Sequence, residues 1–142
     1  MSGTSQVTLY DQHPMRPFFV SVYPYFSISY THSSIVDNRK VTVGDYVFVN
    51  APIEDPKYPW IAKVKSIDYN RLKVTVIWAY HPKDLPAKDK QTLGPFRDRE
   101  ILLSNWSDKI SWGCLAGFAF VEENPKHRES AWWWAKCYNV KP

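Results

Sequence analysis

Two apolar runs, Trp60–Ile67 and Leu72–Tyr80, are separated only by Asp68-Tyr69-Asn70-Arg71, and this pair limits the fold more than any other feature. Side chains on a strand alternate between faces with period two. In the second run Leu72, Val74, Val76, Trp78 and Tyr80 therefore share one face. In the first run Trp60, Ala62, Val64 and Ser66 share one, opposite Lys63 and Lys65. Two alternating runs over so short a connection predict a β-hairpin. A three-residue loop, Tyr69-Asn70-Arg71, with Asn70 or Arg71 turning the chain, sets Ser66 opposite Val74, Val64 opposite Val76, Ala62 opposite Trp78 and Trp60 opposite Tyr80. A two-residue loop would set Lys63 against Trp78 and Lys65 against Val76. Such a slip turns a whole face over, so the first register is the expected one. It gathers Trp60, Trp78 and Tyr80 at the open end of the hairpin, with Trp60 diagonal to Trp78 and within reach of it.

The rest of the chain also reads as strand. Val41–Asn50 is an apolar run entered through a bend at Gly44. Phe26, Ile28 and Tyr30 alternate. Helical periodicity is nearly absent, and one short turn is expected near Ser111–Leu115. A chain of 142 residues suits a single core. Three parts are expected: an N-terminal extension with added strands over 1–40, a core over 41–123, and a tail over 124–142. The tail closes on the aromatic run Ala131-Trp132-Trp133-Trp134-Ala135. The expected fold is mainly β, a partly open and distorted barrel with peripheral strands and very short helical turns.

Several function classes find no residues here. There is no GxSxG, P-loop, HExxH or dinucleotide glycine fingerprint, so no catalytic role is assigned. Cys114 and Cys137 lack CxxC spacing, and His13, His32, His81 and His127 are scattered, so neither a zinc site nor a cofactor is expected. No apolar run approaches the ~20 residues that cross a bilayer. A reduced intracellular compartment, the nucleus or the cytoplasm, is the expectation. The net charge of +4 permits a polyanionic partner, with Lys63, Lys65 and Lys73 on the face opposite Trp78. A nucleic-acid-binding barrel stacking bases on exposed rings is thus one reading.

The aromatic share, 16% with seven Trp, favours another. Three rings at one hairpin end either close the core or wall a site for a quaternary ammonium, whose cation is attracted to the negative ring faces at about 0.5–2 kcal/mol per good contact. Glu54 and Asp55, just before Trp60, are candidates for an accompanying carboxylate.

At this level the chain resembles the BAH (bromo-adjacent homology) domains. Val43-Gly44-Asp45-Tyr46-Val47-Phe48-Val49 is similar to the family's GDxVxV strand, and Tyr58-Pro59-Trp60-Ile61-Ala62-Lys63-Val64 to its PYxAKI/V strand. Val76-Ile77-Trp78-Ala79-Tyr80-His81-Pro82 resembles VRWYYRP, Glu100-Ile101-Leu102-Leu103-Ser104-Asn105-Trp106 resembles ELFLSDH, and Leu115-Ala116-Gly117-Phe118-Ala119-Phe120-Val121 resembles IxGKCxV. The order and spacing agree over residues 41–123. Trp132-Trp133-Trp134-Ala135-Lys136-Cys137-Tyr138 resembles the aromatic strand that follows the BAH core in proteins where a further domain comes next, which implies such a domain after 124–142.

The resemblance implies a nuclear, non-enzymatic chromatin reader. In one group of the family, which reads trimethylated lysine 27 of histone H3 in gene silencing, the cage rings occupy the positions of Trp60, Trp78 and Tyr80. The segment matching SDH is here Ser104-Asn105-Trp106, which lacks the carboxylate and adds an indole. Trp106 is expected either as a further wall or as a core residue, and Asn105 and Ser104 as peptide contacts. Tyr58-Pro59-Trp60 also has the flavour of PWWP and Tudor-like readers, and lysine 9 of histone H3 and lysine 20 of histone H4 are alternative targets. Nucleosomal DNA against the basic face is a further expected partner.

Overall fold

The computed structural model describes residues 17–30, 36–53, 55–125 and 132–140. Glu54, His13, His32, His127 and Ala131 lie outside the described residues, as do the opening of the lead-in and the polar stretch that precedes Trp132.

The lead-in forms an antiparallel sheet of three strands, β1 (Pro17–Val22), β2 (Tyr25–Tyr30) and β3 (Val36–Lys40). The alternation of β2 buries Phe26 and Ile28. Phe26 stacks on Trp112 at 5.4 Å and meets Phe118 edge-on at 4.9 Å, so this sheet closes one end of the core. A buried ring of this kind contributes about 1.5–3 kcal/mol through its area alone.

Of the strand expected over Val41–Asn50 only Tyr46–Val49 forms, and residues 41–45 are a turn. Gly44 takes a left-handed backbone, φ +97°, which turns the chain before β4 (Tyr46–Val49) begins. Asp45 holds that turn, its carboxylate accepting the Thr42 N–H at 2.8 Å and pairing with Arg39 at 3.1 Å. Then follow β5 (Trp60–Asp68) and β6 (Lys73–Tyr80), the expected hairpin.

The hairpin has two registers. At the open end Ile61 pairs with Ala79, Ala62 with Trp78 and Val64 with Val76, as the alternation requires. Nearer the turn a bulge at Lys65 shifts the pairing by one residue, so that Ser66 meets Thr75 and Val74 meets Ile67 instead of Ser66. The reason lies in the turn. Asp68 accepts the N–H groups of Asn70 and Arg71, each at 3.1 Å, and Leu72 takes the left-handed conformation expected of Asn70 or Arg71. The connection spans residues 69–72, and Leu72 is exposed instead of joining the apolar face.

A 3-10 turn at Pro82–Asp84 and a short helix, α1 (Ala87–Leu93), come next. The sequence reading missed both. Neither buries a residue, so neither leaves an amphipathic stripe. The turn expected near Ser111–Leu115 is the 3-10 turn Trp112–Cys114.

The remaining strands are β7 (Leu102–Ser111), β8 (Leu115–Phe118), β9 (Val121–Glu123), β10 (Trp132–Trp134) and β11 (Cys137–Tyr138). Six strands form one sheet in the order β11-β7-β6-β5-β4-β8, and β10 pairs in parallel with β9. The fold is therefore mainly β, and its sheets do not close into a full barrel.

Val47, Val64, Val74 and Val76 fill the centre of the core. The tryptophans of β10 are structural. Trp132 and Trp133 are buried, the Trp133 indole donates to the Asp98 carbonyl at 3.0 Å, and the Trp134 indole donates to the Tyr46 hydroxyl at 2.8 Å. Tyr46 in turn donates to Glu123, which also receives Lys63 at 2.9 Å. Burial and this bond to a carboxylate raise the Tyr46 phenol well above its ordinary range, while the same bond and Lys63 hold Glu123 below the usual carboxylate value.

Candidate functional site

Beyond its aliphatic stretch the hairpin runs into rings. Trp60 opens β5, Trp78 and Tyr80 close β6, and the register Ile61–Ala79 sets the next positions, Trp60 and Tyr80, opposite one another. Trp60 and Trp78 meet almost perpendicularly, 79° between planes and 5.7 Å between centroids. With Tyr80 they line a cleft of about 470 Å³, completed by Ala79, His81, Asp84, Trp106 and Asp108. Trp60 is 43% exposed and Trp106 45%, which sets both apart from the buried core tryptophans.

Trp106 reaches the cleft through an irregularity in β7. Tyr80 pairs with Leu102 and Ala79 with Leu103, but Ile77 pairs with Ser107. Ser104, Asn105 and Trp106 thus stand against the single residue Trp78. An enlarged bulge of this kind re-aims side chains. Ser104 is buried and holds the bulge, its hydroxyl accepting the Trp106 N–H at 3.0 Å. Asn105 ties the bulge to the C-terminal segment, its amide oxygen accepting the Val140 N–H at 2.7 Å.

Of the two acids expected near the rings, Glu54 lies outside the described residues and Asp55 stands away from them. Asp55 sits in a turn, where its carboxylate accepts the Lys57 N–H at 3.1 Å, and it does not line the cleft. Asp84 and Asp108 line it instead. Asp108 accepts the Trp78 indole N–H at 2.7 Å, which orients that ring and keeps a carboxylate beside it. Sequence reasoning had one signal for Asp108, its place two residues after Trp106 on a strand; Asp84 follows the strand through a 3-10 turn and left none. Burial, and secondarily Asp108, raises the Tyr80 phenol, so it stays neutral at physiological pH. Tyr138 packs edge-on against Tyr80 at 5.6 Å and is itself fixed by a bond to Asp89 at 2.7 Å. Four rings and two carboxylates in an open cleft can take a large, weakly hydrated cation.

His81 forms the back wall. It is buried, with Nε2 2.6 Å from the Pro59 carbonyl oxygen and its ring between Tyr58 and Trp132. Burial lowers its pKa in spite of that hydrogen bond. On its far side lies a larger cleft, about 580 Å³, lined by Tyr58, Lys57, Lys83, Arg97, Asp98, Arg99 and Glu100 among others. The basic face expected from Lys63, Lys65 and Lys73 is partly engaged. Lys63 pairs with Glu123, and Lys73 donates to Ser111 at 3.1 Å. No helix among the described residues is long and apolar enough to cross a membrane.

The chain is similar to the crystal structure of the yeast Rsc2 BAH domain, with a TM-score of 0.49 and 17% sequence identity over 85% of this chain. It spans about half the length, 49%, of that solved chain. No family model and no curated protein matches the sequence.

Proposed function

We propose that this chain is a BAH-type chromatin reader that binds a trimethylated lysine of a histone tail between Trp60, Trp78 and Tyr80, with Trp106 as a fourth wall. The observation that carries this reading is the near-perpendicular Trp60–Trp78 pair, with the other two rings, Asp84 and Asp108 lining the same cleft. Ring faces attract the methylated ammonium at about 0.5–2 kcal/mol each, and methylation lowers its cost of desolvation. The two carboxylates supply the negative charge that a basic domain needs to hold a basic tail. The role is binding, without catalysis, in the nucleus and in gene silencing.

The tail we favour is that around lysine 27 of histone H3. The ordered motifs over residues 41–123 and the ring positions resemble the group that reads it. Nucleosomal DNA would lie against the exposed Lys65 and its basic surroundings.

The test is a titration of the domain with peptides centred on lysines 4, 9, 27 and 36 of histone H3 and lysine 20 of histone H4, each unmethylated and trimethylated, at one salt concentration. Trimethylation is expected to raise affinity at least tenfold, with lysine 27 among the best binders. Equal binding of methylated and unmethylated peptides sinks the cage. A clear preference for another lysine keeps the cage and moves the target.

A further inference from the structure

The aromatic cleft holds one side chain, and a reader must also hold the backbone that carries it. β7 offers a place. On one side it pairs with β6 from Leu102 to Ser111. On the other side β11 covers only Leu103 and Ser104. The chain then leaves the ladder, because the Val140 N–H goes to the Asn105 side chain and not to a backbone carbonyl. Among the described residues no strand pairs with Ser107–Ser111 on that outer side. Ser107, Asp108, Lys109 and Ser111 are exposed there. An open strand edge presents alternating N–H and C=O groups, a template for another strand.

The edge and the cleft are continuous. Trp106 and Asp108 line the cleft and belong to β7 itself. Trp78 and Tyr80 lie one strand further in, on β6, and Trp60 on β5. Neighbouring strands are about 4.8 Å apart. A strand added outside β7 is thus two spacings from β6, and a lysine's four-carbon stem directed over β7 brings its head among the rings. The Ser104–Trp106 bulge follows β11's pairing and delivers Trp106 at the point where, among the described residues, the outer side of β7 loses its strand partner.

We propose that the methylated peptide docks in extended form as an added strand on the outer edge of β7 along Ser107–Ser111, its methyl-lysine on the face that carries Asp108. This rests on the methyl-lysine reading of the cleft. The occupant is a cationic peptide because Asp108 on the edge strand and Asp84 in the cleft are the acids that meet it. Strand addition takes affinity from the main chain and selectivity from alternate side chains. The two neighbours on either side of the methyl-lysine therefore face away from the cleft, and residues two positions away share its face.

The experiment uses the full chain and a set of trimethyl-lysine peptides, each N-methylated at one successive backbone amide. Affinity is expected to fall about two- to tenfold at every second position and to be unchanged between them, the size of one lost backbone hydrogen bond per step. Hydrogen exchange should slow at alternate amides within 107–111 on binding the unmodified peptide. Affinities that are uniform along the series, with Trp78→Ala still removing binding, overturn strand addition and leave the cage standing. If no trimethyl-lysine peptide binds more tightly than its unmethylated counterpart, the cage and the docking mode both fall.

Discussion

The two clefts on either side of His81 invite opposite conclusions if size alone is weighed. The larger, about 580 Å³, is lined by charges of both signs, and the chain's own cations already occupy its aromatic surface. Lys57 Nζ lies 5.5 Å and Lys83 Nζ 4.8 Å from the Tyr58 ring centre. Glu100 is turned inward, its carboxylate accepting the Arg97 N–H at 2.9 Å and standing 3.5 Å from Lys136. The smaller cleft, about 470 Å³, has four rings over which no cation of the described residues is placed, and two acids beside them. A surface satisfied from within has little to gain from a ligand. Rings held open, with a carboxylate fixed against one of them, leave a favourable interaction unmade.

The largest effect should come from Trp78→Ala. It removes a wall and releases Asp108 from the indole bond at 2.7 Å. Affinity for a trimethyl-lysine peptide should drop about thirtyfold or more, from a wall worth ~2 kcal/mol, while circular dichroism and thermal melting confirm the fold. A similar loss with the unmethylated peptide would erase the distinction between the clefts.

Asp108→Asn comes next. The amide oxygen still accepts the indole N–H, so the ring keeps its orientation and only the charge is lost. Calorimetry should show a weakening of about three- to tenfold, with a shallower dependence on salt, because a charge-assisted contact becomes a neutral one. Trp106→Ala should weaken binding by about two- to fivefold, the contribution of one exposed ring at ~0.5–1 kcal/mol. On the other side of His81, Lys57→Gln should change affinity by less than about twofold, since exposed charges contribute little through screened solvent. A larger change there would mean that the tail crosses both clefts.

The sequence made the open end of the hairpin legible because alternation is a local property. Trp60, Ala62 and Val64 against Val76, Trp78 and Tyr80 could be paired on paper, and the observed register over Ile61–Val64 follows that pattern. It could not reveal the bulge at Lys65, where Asp68 binds the turn and Leu72 accepts a backbone usually left to smaller or polar residues. The enlarged bulge at Ser104–Trp106 was hidden for a different reason. It depends on how β7, separated from β6 by a helix and a loop, meets that strand, and nothing local in Leu102–Ser111 reports it. For the same reason Asp84 and Asp108 went unread while Asp55, in the loop five residues before Trp60, stood as a candidate. Nearness in sequence stood in for nearness in space, and Asp55 spends its carboxylate on its own turn.

The smallest effect expected is one of pH, and it acts on the wall that both clefts share. His81 is buried with its ring between Tyr58 and Trp132, and burial lowers its pKa below the unfolded value near 6.5. The folded state therefore favours the neutral imidazole, and the unfolded chain binds more protons. Stability supplied by this group is fully present above the unfolded pKa. It is lost progressively as pH falls from about 6.5 toward the lower folded value, with a slope of at most ~1.4 kcal/mol per pH unit for one proton. Glu123, whose pKa is lowered by Tyr46 and Lys63, acts in the same direction but in the carboxylate range, near and below 4.5. The two windows are therefore separable. The melting temperature should decline between pH 7 and pH 5.5 in the wild type and decline less in His81→Gln, whose amide can still donate to the Pro59 carbonyl. Trimethyl-lysine affinity should fall slightly over the same interval, as the wall behind Tyr80 loosens. Equal pH dependence in the two proteins would assign the decline to other histidines and leave His81 as packing alone.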